Sequence, residues 1–125
     1  MKIYCVDFDG TITKVSHFPE LGEPNLPLIK WLKREQEQGT KLILWTCRVG
    51  ERLEEAVQFC RAFGLEFDAI NENLPEIVER FGSDCRKVFA TKYIDDCSIK
   101  PWEVIRKPEK PEKKRREPRA MKILR

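Results

Sequence analysis

Four short apolar runs, each cut off by polar residues, constrain this chain most. They are residues 2–7 (Lys2-Ile3-Tyr4-Cys5-Val6-Asp7), 41–46, 67–70, and a stretch within 88–96 that is clearest at Tyr93-Ile94-Asp95-Asp96. Runs this short, without polar alternation, fit strands covered on both faces. Helical patterns lie between them. Asn25 offers an N-cap and Pro27 a first-turn proline for a helix reaching about Gln38 and closed by Gly39. Over 51–63, Leu53, Ala56, Val57, Cys60 and Phe63 share one helical face, with Gly64 as the residue that stops it. Residues 75–81 predict a short third helix. This alternation predicts an α/β fold: a three-layer, Rossmann-like parallel sheet with helices on both faces.

The chain has 125 residues, 41% of them hydrophobic, which suits one core and no second independent domain. The folded domain is expected over 1–105. Residues 106–125 hold ten Lys or Arg against three Glu and are spaced by proline, predicting a basic tail that does not fold alone. No apolar run approaches the length of a membrane span and no leader pattern opens the chain, so a cytoplasmic protein with no membrane contact is expected. The five cysteines are scattered without a C-x-x-C pair, predicting reduced, mostly buried thiols. Cys47 next to Arg48 lacks the Cys-x5-Arg spacing of thiolate phosphatases.

Polar residues gather where the strands end: Asp7 and Asp9, Thr46 and Arg48, Asn71 and Asn73, Asp95 and Asp96. In a parallel open sheet these ends share one edge, where ligands bind near the point at which strand order reverses. Four carboxylates on one edge repel unless a cation sits among them, and oxygen ligands on turns suit a hard ion such as Mg2+. Gly10 permits a sharp turn that aims backbone amides at an anion.

These motifs, in this order, resemble the haloacid dehalogenase (HAD) superfamily of phosphohydrolases. The likeness runs over about residues 1–100: an apolar strand with Asp-x-Asp-Gly-Thr at 7–11, a strand ending in Thr46, a lysine, and a strand ending in the pair Asp95-Asp96. The resemblance implies a Mg2+-dependent phosphatase in which Asp7 becomes an aspartyl-phosphate and Asp9 carries the proton. It implies metal ligands at Asp7, the main-chain carbonyl of Asp9, and Asp96, with Asp95 acting through water. Thr46 and Lys87 would hold the phosphoryl group, and Gly10 and Thr11 would meet substrate; Arg48 and Asn71, which the motifs do not prescribe, are candidate substrate contacts by their place at the strand ends. Lys87 is preferred to Lys92, because Lys92 starts the fourth strand and at about 3.3 Å per residue falls at its far end. The short connections leave no room for a sizeable cap domain, as in the small capless branch of the superfamily.

A phosphorylated small molecule or a nucleic-acid end is the expected substrate. Two other readings stand beside this one. A receiver-like module also gathers acidic residues, threonine, lysine and magnesium, but carries an adjacent acidic pair after its first strand and its phospho-acceptor after the third. A nucleic-acid-binding protein would use 106–125, with salt-dependent phosphate contacts. Trp31, Trp45 and Trp102 are expected to pack in the core or on helices, Asn73 to cap the third helix, and His17 to lie in an exposed loop.

Overall fold

The first apolar run becomes β1 (Ile3–Val6), the second β2 (Lys41–Leu44), the third the two-residue β3 (Ala69–Ile70) and the fourth β4 (Lys92–Ile94). These elements come from a computed structural model, which describes residues 1–105; the expected tail at 106–125 lies outside the described residues. The four strands form one parallel sheet in the order β3-β2-β1-β4. The chain moves outward from β1 through β2 to β3, then returns to the opposite side of β1, so strand order reverses between β1 and β4.

Three of the helices occupy the expected segments: α1 (Leu26–Glu37), α2 (Gly50–Ala62) and α3 (Pro75–Phe81). Asn25 caps α1, its side chain accepting from the Leu28 N–H at 3.4 Å, and Pro27 sits in the first turn. A fourth, short helix, α4 (Pro101–Ile105), lies where the hydrophobic pattern fades and was not expected from it.

Strand alternation divides the core into two layers. Tyr4, Val6, Leu42 and Leu44 pack under Ile29 and Leu32 of α1 and Ala56, Val57 and Cys60 of α2. Ile3, Cys5 and Ile43 face the other way, onto Leu74, Ile77 of α3 and Val88. The architecture is therefore the expected three-layer α/β fold, and no cap domain stands between its elements.

Several expectations on single residues change. Only Cys5 and Cys60 are buried, whereas Cys47, Cys85 and Cys97 are exposed, because they lie in loops beyond the strands. Trp31 stacks on Tyr4 in the core, with centroids 5.4 Å apart, but Trp102 is exposed. Asn73 does not cap α3. It is buried, donates to Asp84 Oδ1 at 2.7 Å and to the Cys85 carbonyl at 3.0 Å, and accepts from the Phe89 N–H at 2.7 Å, stapling the loop that leads into β4. Among the described residues, no helix is long and apolar enough to cross a membrane.

Candidate functional site

The sheet register aligns the strand ends. Val6 pairs with Leu44 and Ile94, and Leu44 pairs with Ile70, so this row crosses all four strands. The next residues, Asp7, Trp45, Asn71 and Asp95, stand together at the carboxyl edge, where they line a cavity of about 330 Å³ with Thr46 and Cys47. Trp45 thus lines the cavity as well as packing against the core. Sequence reasoning missed Trp45 and Cys47 as cavity walls, although their place just past β2 is the signal that finds them.

Asp7 is half-buried, and its carboxyl group is pushed up to about 6, first by burial and then by the charge of Asp95, with Asp96 adding a smaller push. The Thr11 hydroxyl donates to Asp7 Oδ2 at 3.1 Å and accepts from the Asp96 N–H at 3.0 Å. Thr11 is buried, and it ties the loop after β1 to the loop after β4. The Gly10 N–H donates to Thr13 Oγ1 at 3.0 Å. The turn requires glycine at this position. Its φ is +82°, and a Cβ there would meet Asp96 Oδ2 at 2.5 Å.

Thr46 is held at both ends of its main chain and side chain. Its N–H donates to Asn71 Oδ1 at 2.8 Å, and its hydroxyl oxygen accepts from the Arg48 N–H at 3.1 Å. Thr46 lines the cavity, and its hydroxyl keeps one hydrogen to donate. Asn71 makes this contact from a left-handed backbone, with φ of 55°, a conformation asparagine tolerates better than most residues.

Arg48 departs most from expectation. It is 1% exposed and does not line the cavity; its guanidinium forms a two-pronged ion pair with Asp9, at 2.8 Å from Nε to Oδ2 and 2.7 Å from Nη2 to Oδ1. The pairing with Asp9 raises the proton affinity of the guanidinium further. A contact with substrate is therefore replaced by a contact with a neighbouring carboxylate. Parallel pairing of β1 and β2 carries the signal, since both residues follow strands that lie side by side.

Lys92 pairs with Tyr4, at the amino end of the sheet and away from the cavity. Lys87 lines an adjoining cavity of about 310 Å³ that shares Trp45 and Asp95 with the first. Its Nζ lies 5.6 Å from the centre of the Tyr93 ring. His17 lies in the 13–24 loop and lines a separate surface hollow with Lys14, Leu21 and Glu23.

The chain is similar to a solved structure of a conserved protein coded by a locus of Bacteroides thetaiotaomicron, at 42% sequence identity and a TM-score of 0.68, covering 82% of this chain and 84% of that one. The two chains belong to one family. No protein-family model and no curated protein matches the chain.

Asp7 and Asp96 flank the Thr11 hydroxyl, at 3.1 Å and 3.4 Å. The ligand atoms of Asp95, Asp96 and Cys97 lie within 4.8 Å of one another. Carboxylate oxygens suit a hard ion, whereas a thiol suits a soft one. The carboxylates of Asp7, Asp95 and Asp96 are donors of the type a hard ion takes; Cys97, whose thiol the Asp96 charge pushes up, is not.

Proposed function

We propose that this chain is a magnesium-dependent phosphomonoester hydrolase of the haloacid dehalogenase type, working through an aspartyl-phosphate on Asp7. The observation that carries the reading is the single cavity onto which Asp7, Thr46, Asn71 and Asp95 open from four different strand ends.

In the first step an Asp7 carboxylate oxygen forms a bond to phosphorus, the bond from phosphorus to the leaving oxygen breaks, and that oxygen takes the electron pair and, where it needs one, a proton that Asp9 delivers after parting from Arg48. In the second, water attacks phosphorus, the Asp7–phosphorus bond breaks, Asp9 takes the water's proton, and inorganic phosphate leaves with Asp7 regenerated. The Thr46 hydroxyl donates to a phosphoryl oxygen, and Lys87 supplies positive charge from the adjoining cavity. Asp7, Asp96 and Asp95 would hold magnesium, which when bound neutralises charge on the phosphoryl oxygens.

The end of β3 carries Asn71 rather than a carboxylate, so a receiver-like reading has no phospho-acceptor there. The deciding experiment is phosphate release from p-nitrophenyl phosphate with Mg2+, using Asp7→Asn as the blank. Turnover that is Mg2+-dependent and absent in the variant supports the proposal; equal release by both proteins rejects it.

A further inference from the structure

Arg48 has an acceptor for each of its N–H groups. Besides the two bonds to Asp9, Nη2 donates to the Glu20 carbonyl at 2.8 Å, and Nη1 to the carbonyls of Pro19 at 3.0 Å and Arg52 at 3.4 Å. The guanidinium lies between two rings, 5.1 Å from the centres of both Phe8 and Phe18. One enclosed side chain thus joins the turn after β1, the 13–24 loop and the first turns of α2. Both oxygens of Asp9 are turned to it, and Asp9 is not among the residues lining the cavity in front of Asp7.

We infer that Arg48 is a positioning residue that holds Asp9 out of the phosphoryl cavity, so that the site discriminates between phosphate esters by their leaving group. The inference rests on the proposed phosphohydrolase reading. When Asp7 bonds to phosphorus and the ester bond breaks, an alkoxide leaving group must receive a proton as it departs. An aryl oxide or a carboxylate, from an aryl or acyl phosphate, departs as a stable anion with its electron pair and needs none. For Asp9 to meet an alkoxide in the cavity, it must part from Arg48. Aryl esters and acyl phosphates, which are mixed anhydrides, have good leaving groups and avoid that step, so they are the favoured substrate class.

The test measures kcat/KM with Mg2+ for glycerol phosphate, phenyl phosphate, p-nitrophenyl phosphate and acetyl phosphate. Arg48→Lys keeps the charge but loses the two-pronged geometry. It is expected to raise the ratio of glycerol phosphate to p-nitrophenyl phosphate activity about tenfold, the value of one charge-assisted hydrogen bond no longer withheld. Phe18→Ala removes one of the two flanking rings at a position 57% exposed, where folding is tolerant, and should move the ratio the same way by a smaller factor. An unchanged ratio, with all substrates slowed alike, shows Arg48 to be purely structural and overturns the inference. A falling ratio overturns it too, since Arg48 would then aim Asp9 at the leaving group. If Arg48→Lys does not fold, the ratio in Phe18→Ala decides. Absence of Asp7-dependent turnover in the unaltered protein rejects the proposed function, and this role with it; turnover with an unmoved ratio rejects this role alone.

Discussion

Asp96 packs against Gly10 so closely that a methyl group on Gly10 would come within 2.5 Å of Asp96 Oδ2. The contact locks the turn after β1 to the loop after β4, across the place where strand order reverses.

Gly10→Ala meets two penalties, the Asp96 contact and a φ of +82°. Gly39 has φ +98° with nothing within 4 Å of a built Cβ, so Gly39→Ala meets only the backbone penalty. Backbone strain of this kind costs about 1–3 kcal/mol. Gly10→Ala should therefore lower the unfolding free energy by more than Gly39→Ala in urea titrations. Equal losses would show that Asp96 moves aside freely.

Asp7 supplies a pH signature. Its folded-state carboxyl group titrates at about 6 rather than 3.8, because burial and the charges of Asp95 and Asp96 disfavour the ionised form. The folded state then binds a proton more tightly than the unfolded state, so the stabilisation is full below the unfolded value and lost as pH rises through the folded one. Asp7→Asn lacks this loss. Its stability relative to the unaltered protein should grow by about 1 kcal/mol between pH 4 and 7, after discounting for solvent screening at a half-exposed group. Urea unfolding across that range without divalent cation checks it, and a flat difference contradicts it.

A cation held among Asp7, Asp95 and Asp96 would relieve the same repulsion. Millimolar Mg2+ should raise the melting temperature of the unaltered protein, by an amount set by its free concentration over its dissociation constant. Asp96→Asn should reduce the rise and Asp7→Asn abolish it. A shift of equal size in all three proteins would place the ion elsewhere.

The Asp9–Arg48 pair has one side chain fully enclosed and the other 16% exposed. Removing one partner of such a pair typically costs about 3–5 kcal/mol. Asp9→Ala should fall toward the lower end, because Arg48 keeps three carbonyl acceptors. In a double-mutant cycle with Arg48→Met, the two losses should be strongly non-additive; additive losses would mean the pair is not coupled in solution.

Asn73→Ala should cost about 1–3 kcal/mol, by leaving the Phe89 N–H without its acceptor. Phosphate release per folded molecule, on the proposed function, should persist, since Asn73 lines neither cavity at the carboxyl edge. Circular dichroism melts paired with turnover at low temperature separate the two effects.

Much of this molecule is written in local patterns. The apolar runs ending at Asp7, Thr46, Asn71 and Asp95, and the helical face of Ala56, Val57 and Cys60, follow from side-chain period and from cap and stop residues, which act over a few positions. Parallel pairing then requires the strand ends to meet on one edge, and that much of the candidate site was legible before any coordinates. That Lys92 lies at the amino end of β4, away from the cavity, was also legible, because rise per residue alone puts it there.

Which polar group takes which partner was not legible, because that choice depends on contacts between residues far apart in the chain. Arg48 reaches Asp9 across 39 positions, and Asp96 reaches Thr11 across 85. Each buried donor must find an acceptor, and several candidates of the same chemistry are present in the sequence. Only the packed structure decides among them. The sequence by itself determined a three-layer sheet with an acidic carboxyl edge; the tertiary structure decided that Arg48 serves Asp9, that Thr11 and Gly10 bind the two acidic loops together, and that Trp45 and Cys47 wall the cavity.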